Sequence, residues 1–574
     1  MMPNFAPCSI LPAGRSRFLA AVLLLGLLGL AGRAAYLQGM HNDFLQQKGE
    51  SRYSRVIEMS AHRGMITDRH GEPLAISTPV ESVWASPQDM DATSTQIKKL
   101  AGLIEMDVEE VRKRIGGSQR DFVYLKRHLP PEIAARVVEL NMPGVFLRRE
   151  FRRYYPAGEL TAHMLGFTDV DDNGQEGIEL AWQDTLSGKP GSRRVIKDRK
   201  GSIVEDVESI RVPRPGKDIA LSIDSKIQYL AYRELKQAVE ASKAKAGGIV
   251  VLDAQTGEVL ALANLPAYNP NNRARISGAR ARNRALTDVF EPGSTLKPFT
   301  IAAALEAGVI ESDTIFQTAP GTLTIGKATI RDSHKEGPLT VAQVVQKSSN
   351  VGSAKIALSL PPQTLWEMLS RSGFGVSTGS GFPGEVNGRL RPHHTWRPIE
   401  QATMSYGHGI SVSLLQLARA YTLFSTGGEL KPVSLLKLDA PVAGERVISR
   451  ETALAMSRML EMVVRPGGTG PRAQISGYRV AGKTGTAHKL EGNGYAKNRY
   501  ISTFVGYAPA SSPRLIIAVM LDEPSAGQYF GGVVAAPVFS QVMAGALRIL
   551  SVPHDAPTSN IVSFPAAPES QGDV

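Results

Sequence analysis

Cysteine is almost missing from this chain: its 574 residues include one, Cys8. A lone thiol excludes an intramolecular disulfide and any multi-thiolate metal centre. The eleven histidines show no ligand spacing, and the one adjacent pair, His393-His394, lacks carboxylates at helical intervals and reads as surface. Neither a Walker loop nor a dinucleotide fingerprint occurs, so no metal and no cofactor is expected. Internal repeats are absent. Charge of one sign does not dominate, since 65 Lys and Arg stand against 54 Asp and Glu, a formal +11. The excess suits an anionic partner, nucleic acid or a membrane or cell-wall surface, but the basic clusters RRYY (152–155) and SRRVIKDRKG (192–201) carry no nucleic-acid motif and read as a solvated basic surface.

Long apolar runs are scarce too. One exists, FLAAVLLLGLLGLAG at 18–32, carried past Arg33 by AAYL to Leu37. It suits a single membrane helix with Arg33 reaching the interface, and no A-x-A site follows for cleavage. Arg15 and Arg17 precede it while Arg33, Lys48, Arg52 and Arg55 follow, so local charge does not orient it. The rest of the chain, with 42% hydrophobic and 21% charged residues overall, can bury sizeable cores in more than one domain. The expected divisions are a tail at 1–17, an anchor at 18–37, a region of short strands and charged helices at 38–215, a larger domain at 216–554, and a Pro- and Ser-rich disordered tail at 555–574.

Within 38–215, HRGMITDRHGEPLA (62–75) reads as strand, turn, strand, and residues 93–141 read as helical. Beyond 215 the pattern is plainer. SKIQYLAYRELKQAVEAS (225–242) is an amphipathic helix, GGIVVLDAQTGEVLALANLP (247–266) two strands about a turn, RVAGKTGTA (479–487) a strand, residues 500–524 a hairpin, and AAPVFSQVMAGALRIL (535–550) a helix. Strands at both ends with helices between predict an α+β fold, an antiparallel sheet covered by helices.

The stretch EPGSTLKPFT (291–300) places Ser294 three residues before Lys297. On a helix beginning near Ser294 the two share a face, and the amine can take the proton that keeps a hydroxyl from being a nucleophile. S-x-x-K alone is weak, and it recurs at Ser242/Lys245 and Ser434/Lys437. Companions strengthen the first match. Ser348-Ser349-Asn350 is the one S-x-N in the chain, and Lys483-Thr484-Gly485-Thr486 the one K-T-G. Lys483 and the helix N-terminus are expected to lower the Lys297 pKa. Ser348 can relay a proton, and Asn350 can hold Lys297 and a substrate amide. Gly485 lets a substrate backbone lie along the strand edge. Thr484 and Thr486, beside Lys483, offer groups for a terminal carboxylate. Backbone N–H groups of Ser294 and Thr486 suit an oxyanion hole.

Three such motifs in this order, on helix, loop and strand, are the signature shared by serine β-lactamases and penicillin-binding proteins, here with Ser349 where Asp is usual. RGMITDRHGEPLA (63–75), residues 154–180, SYGHGISVSLLQLARAY (405–421) and YFGGVVAAPVFSQVM (529–543) are similar to class B penicillin-binding proteins, most of all the division-specific D,D-transpeptidases of Gram-negative bacteria. The resemblance runs from the anchor to about residue 550. It implies a penicillin-binding transpeptidase fold on a non-catalytic, dimerisation-type pedestal, in the inner membrane with the catalytic domain in the periplasm. It also implies septal peptidoglycan cross-linking: Ser294 would be acylated by D-Ala-D-Ala stem peptides, resolved by an acceptor amine, and blocked by β-lactams. Lys297, Ser348, Asn350 and Lys483 would assist catalysis. Ser349, Thr484, Gly485, Thr486 and Tyr406 would bind substrate, with the loop Tyr529-Phe530-Gly531-Gly532 walling the cleft. Partners would be other division proteins, including a glycosyltransferase, because the acidic motif of bifunctional relatives is missing from 38–215. His408 departs from the tyrosine of relatives. A D,D-carboxypeptidase or other hydrolase, an elongation-type transpeptidase, and a non-catalytic division scaffold stay open as alternatives.

Overall fold

The computed structural model describes residues 12–40, 54–116, 120, 122–197, 203–272, 278–492 and 494–557. Cys8, most of the expected N-terminal tail and the tail beyond residue 557 lie outside the described residues. The chain forms two compact units, which do not part at a single cut near 215. The first comprises Met1–Ala61, Pro79–Glu150 and Lys189–Arg214, and the second His62–Thr78, Phe151–Gly188 and Pro215–Val574.

In the first unit, the apolar run forms the helix Ala13–Ala35, with no buried residue. A span of Ala13–Gln38, 26 residues at mean hydropathy 2.0, is long enough to cross a bilayer. Strands Ser54–Met59, Gly191–Lys197 and Ile203–Arg211 make an antiparallel sheet. The region expected to be helical is interrupted. Helices Ser94–Leu103, Val108–Gly116 and Pro131–Glu139 flank a strand, Val123–Leu129, which pairs with the later half of Pro73–Ala85. Val83, Leu100, Ile104, Val111 and Leu125 form the core that these elements share. The first helix starts where Thr93 and Gln96 cap each other.

The second unit is built on a five-stranded antiparallel sheet. Its strands are β1 (Ala246–Asp253), β2 (Val259–Leu265), β3 (Ala481–Glu491), β4 (Gly494–Ala508) and β5 (Leu515–Asp522), in the spatial order β2-β1-β5-β4-β3. Strand β1 alternates between two cores, because both faces of the sheet are covered. Ile249 and Val251 join Ile227, Leu235, Phe539 and Val542 of the helices α1 (Ser225–Ser242) and α6 (Ala536–Ile549). Val250 and Leu252 face the other core, with Phe299, Val344, Ile356 and Leu460. These last come from helices α2 (Lys297–Glu306), α3 (Val341–Lys347), α4 (Asn350–Leu358) and α5 (Arg450–Val464). An antiparallel sheet between helical layers is the α+β arrangement that the strand and helix order predicts. The second long apolar helical stretch, Gly531–Ile549, is half buried and includes α6, so it is a core element.

The segments that this unit draws from earlier in the chain are tied in by buried charge. Glu179 is fully buried and accepts from Arg63 Nε at 2.7 Å and from Arg153 Nε at 2.6 Å. Asp68 takes the Ser225 hydroxyl at 2.8 Å, beside the start of α1, where Asp224 caps the helix.

Candidate active site

Ser294 lies in a single 3₁₀ turn, Gly293–Leu296, and α2 proper begins at Lys297. The helix expected from Ser294 therefore starts three residues later. The shared face survives, since a 3₁₀ turn also aligns positions i and i+3. Gly293 has φ +57°, and Gly407, at φ +84°, packs so tightly on it that a Cβ there would stand 2.3 Å from the Gly293 carbonyl oxygen. Two glycines are needed for the Ser294 turn to seat on this loop. Thr295 fixes the turn through its own hydroxyl on the Pro292 carbonyl at 2.7 Å and through the Tyr421 hydroxyl on its carbonyl at 2.8 Å.

Lys297, Ser348 and Lys483 meet. Lys297 Nζ donates to the Ser348 hydroxyl at 3.1 Å and to the Ser348 carbonyl, while Lys483 Nζ donates to the same hydroxyl at 2.9 Å. Both lysines are 0% exposed. Burial pulls the Lys297 amine down to about 7, against an attractive contribution from Asp332 that raises it. The expected causes were Lys483 and the helix terminus; desolvation does the work instead. Burial also holds Lys483 well below the ordinary lysine range, with Lys297 adding repulsion. Ser348 ends α3 in the left-handed region at φ +60°, a strained position that presents one hydroxyl to two amines.

The rest of the second motif serves the loop. The Asn350 amide donates to the Arg331 carbonyl at 2.9 Å, so the Ser348 carbonyl holds Lys297 in the place foreseen for Asn350. Ser349 is buried, donates to Asp332 at 2.6 Å and accepts from the Gly352 N–H at 2.9 Å as the cap of α4. Asp332 also accepts the N–H groups of Asn350 and Val351. Asp332 carries no signal in the sequence; it sits in RDSHKEG, seventeen residues before Ser349, and no spacing rule ties the two. It supplies the carboxylate that this motif lacks at its middle position.

Strand β3 is the edge of the sheet. A Cβ on Gly485 would meet the Thr503 hydroxyl at 2.2 Å, the Pro292 carbonyl at 2.9 Å and Thr295 at 3.0 Å, so the strand and the Ser294 turn touch through this glycine. Thr486 accepts the Gly531 N–H at 3.0 Å. Thr484 shares a 2.7 Å hydrogen bond with Thr469 and is 7% exposed, which turns its hydroxyl to a neighbour in place of a ligand.

Aromatic rings line the surroundings. Tyr406 packs on His408 at 5.1 Å, and His408 on Tyr495 at 5.6 Å. Tyr529 stacks on Tyr500 at 4.0 Å and on Phe530 at 4.5 Å. Burial raises Tyr406 to about 12 and lowers His408 to about 4, so both are neutral near pH 7. The imidazole thus keeps an aromatic surface where a tyrosine was expected.

Comparison with known proteins gives the family. Residues 247–544 match the penicillin-binding protein transpeptidase domain, and residues 58–221 the penicillin-binding protein dimerisation domain. The chain is 44% identical over 558 residues to the probable peptidoglycan D,D-transpeptidase PenA of Neisseria meningitidis, covering 96% of each. It is 44% identical over 551 residues to the peptidoglycan D,D-transpeptidase FtsI of Escherichia coli, covering 95% of this chain and 93% of that one. A solved apo structure of the TP domain of penicillin-binding protein 3 from Burkholderia pseudomallei is 50% identical, at a TM-score of 0.55, over 59% of this chain and 98% of that one. With both family domains in sequence and two relatives 44% identical over more than nine-tenths of each chain, the chain belongs to the class B penicillin-binding proteins, the peptidoglycan D,D-transpeptidase family.

Proposed function

We propose that the chain cross-links septal peptidoglycan by acyl transfer through Ser294, as a periplasmic enzyme held by its N-terminal helix in the inner membrane. The observation that carries this reading is the Ser348 hydroxyl held between two buried amines, one of them three residues after Ser294. An amine near neutrality can take a proton and return it at physiological pH.

In the reaction, Lys297 accepts the Ser294 proton as Oγ attacks the carbonyl of the penultimate D-Ala. Backbone N–H groups of Ser294 and Thr486 hold the oxyanion. Ser348 passes a proton to the departing terminal D-Ala, with Lys297 resupplying it. Lys483 and the Thr486 hydroxyl receive the substrate carboxylate, which restores the charge that burial disfavours on Lys483. The free edge of β3 at Gly485 takes the donor peptide as an added strand. Asn350, bonded to the Arg331 carbonyl, acts with Ser349 and Thr484 through the loop and strand that they brace. An amine of a neighbouring stem then attacks the ester, its proton leaves through the same Lys297–Ser348 route, and Ser294 is restored. β-Lactams present a strained amide to the same serine and remain as esters. Other division proteins, with a glycosyltransferase among them, would supply the glycan strands.

The septal role is tested by replacing the chromosomal copy with Ser294→Ala in its own host. Filaments with blocked septa and normal cylinder growth are expected. Normal division would refute the role, and rounded or swollen cells would assign the chain to elongation.

A further inference from the structure

Glu291 opens the nucleophile turn, three residues before Ser294, and the reaction above gives it no task. It is 6% exposed. Its Oε1 accepts the Gly409 N–H at 2.8 Å and the Tyr495 hydroxyl at 3.2 Å. Its Oε2 is buried and has no hydrogen-bond partner. Among the described residues no lysine, arginine or histidine pairs with this carboxylate. The groups around it are Tyr406, Tyr495 and, against both rings, His408. A buried carboxylate oxygen left without a donor is costly, and such a group is retained where something arrives to satisfy it. Burial raises its pKa, which an incoming cation would reverse.

The cover is light. Tyr495 is 49% exposed and follows the turn at Gly492 and Gly494, while Gly409 is itself exposed. The single hydroxyl on Oε1 is a long bond that another donor can replace. A buried carboxylate with one unsatisfied oxygen, beside the linked rings of Tyr406, His408 and Tyr495, forms a site for a primary ammonium.

We propose that Glu291, with Tyr406, His408 and Tyr495, is a specificity subsite for the side-chain ammonium of the donor stem peptide. The inference rests on the cross-linking reading. In that reaction one stem supplies the acyl group and another the amine, and the stems are copies of one polymer unit. Every donor therefore carries the amine that it would use as an acceptor. While a stem is bound as donor, that amine is still an ammonium, which a counter-charge near the nucleophile would hold. Glu291 supplies it, and a stem whose amine is already consumed in a cross-link arrives without the cation. The subsite would thus favour uncross-linked donors.

The test uses the full chain in detergent, with active sites counted by stoichiometric benzylpenicillin labelling. Acylation is followed with a pentapeptide stem ending in D-Ala-D-Ala, once with its side-chain amine free and once acetylated, with no acceptor present. The wild type is expected to prefer the free amine in kcat/KM by about tenfold or more, the range of a hydrogen bond to a charged group. Glu291→Gln is expected to bring the ratio close to one, and Tyr495→Phe, which frees the carboxylate, to keep or raise it. A ratio near one in the wild type, or a full ratio in Glu291→Gln, overturns the proposal. Discrimination that appears only when an acceptor amine is added also overturns it, since the subsite would then serve the acceptor. Absence of any benzylpenicillin adduct in the wild type would instead refute the underlying cross-linking reading.

Discussion

Lys297 is a buried amine, and in the proposed reaction its protonation decides whether Ser294 has a base. Its pKa near 7 arises from desolvation. Below that pH the amine carries a proton and cannot accept another; above it the amine is free. Benzylpenicillin acylation should therefore rise about tenfold per pH unit on the acid side and level off above about 7. A stopped-flow profile that is flat from about pH 5 to 8 would remove Lys297 as the base. The meeting of Lys297, Ser348 and Lys483 was legible at this scale, because residue type and spacing mark all three. Asp332 and Glu291 were illegible, because each reaches its partner through a fold contact rather than a fixed interval. Asp332 bonds across seventeen residues, and Glu291 across more than a hundred to Gly409. Asn350, Ser349 and Thr484 were legible in identity alone. Their hydroxyl and amide groups have several possible partners within one hydrogen-bond radius, and only the folded loop selects among them.

At the scale of elements, the edge strand β3 and the nucleophile turn are spaced by the bare backbone of Gly485. Gly485→Ala places a methyl 2.2 Å from the Thr503 hydroxyl and 2.9 Å from the Pro292 carbonyl. The strand must move outward or the turn must shift. A loss of about 1–3 kcal/mol in unfolding free energy is expected, as for other overpacked sites, with a larger drop in acylation. Denaturant titration beside penicillin labelling would show it; unchanged labelling would mean that the strand does not set the position of Ser294. The strands of the large sheet were readable because both faces are apolar and their ends carry turn residues. Val123–Leu129 was not, since VYLKRHL buries only Leu125 and Leu129 and mixes cations into the strand, leaving no clean period of two. The 3₁₀ opening of α2 was also hidden, because Gly293 and Pro298 permit either helical form.

The whole molecule departs most from its linear order. Fragments on both sides of the first unit's segments return to the second unit, and Arg63, Arg153 and Glu179 bind them there. A linear reading places one boundary near 215 because composition changes there, whereas a buried ion cluster leaves no compositional trace. Glu179→Gln removes the carboxylate that pairs with two buried guanidinium groups and should cost about 3–5 kcal/mol, seen as a lower Tm of the full chain. A Tm unchanged within a degree would mean that this cluster is not what joins the segments.

Acyl transfer through Ser294 is the claim on which the remainder depends, and intact mass spectrometry of the full chain after benzylpenicillin treatment tests it most directly. One stable penicilloyl adduct per chain is expected, absent from Ser294→Ala. Rapid turnover of the drug without a lasting adduct, or an adduct that persists in Ser294→Ala, would contradict it.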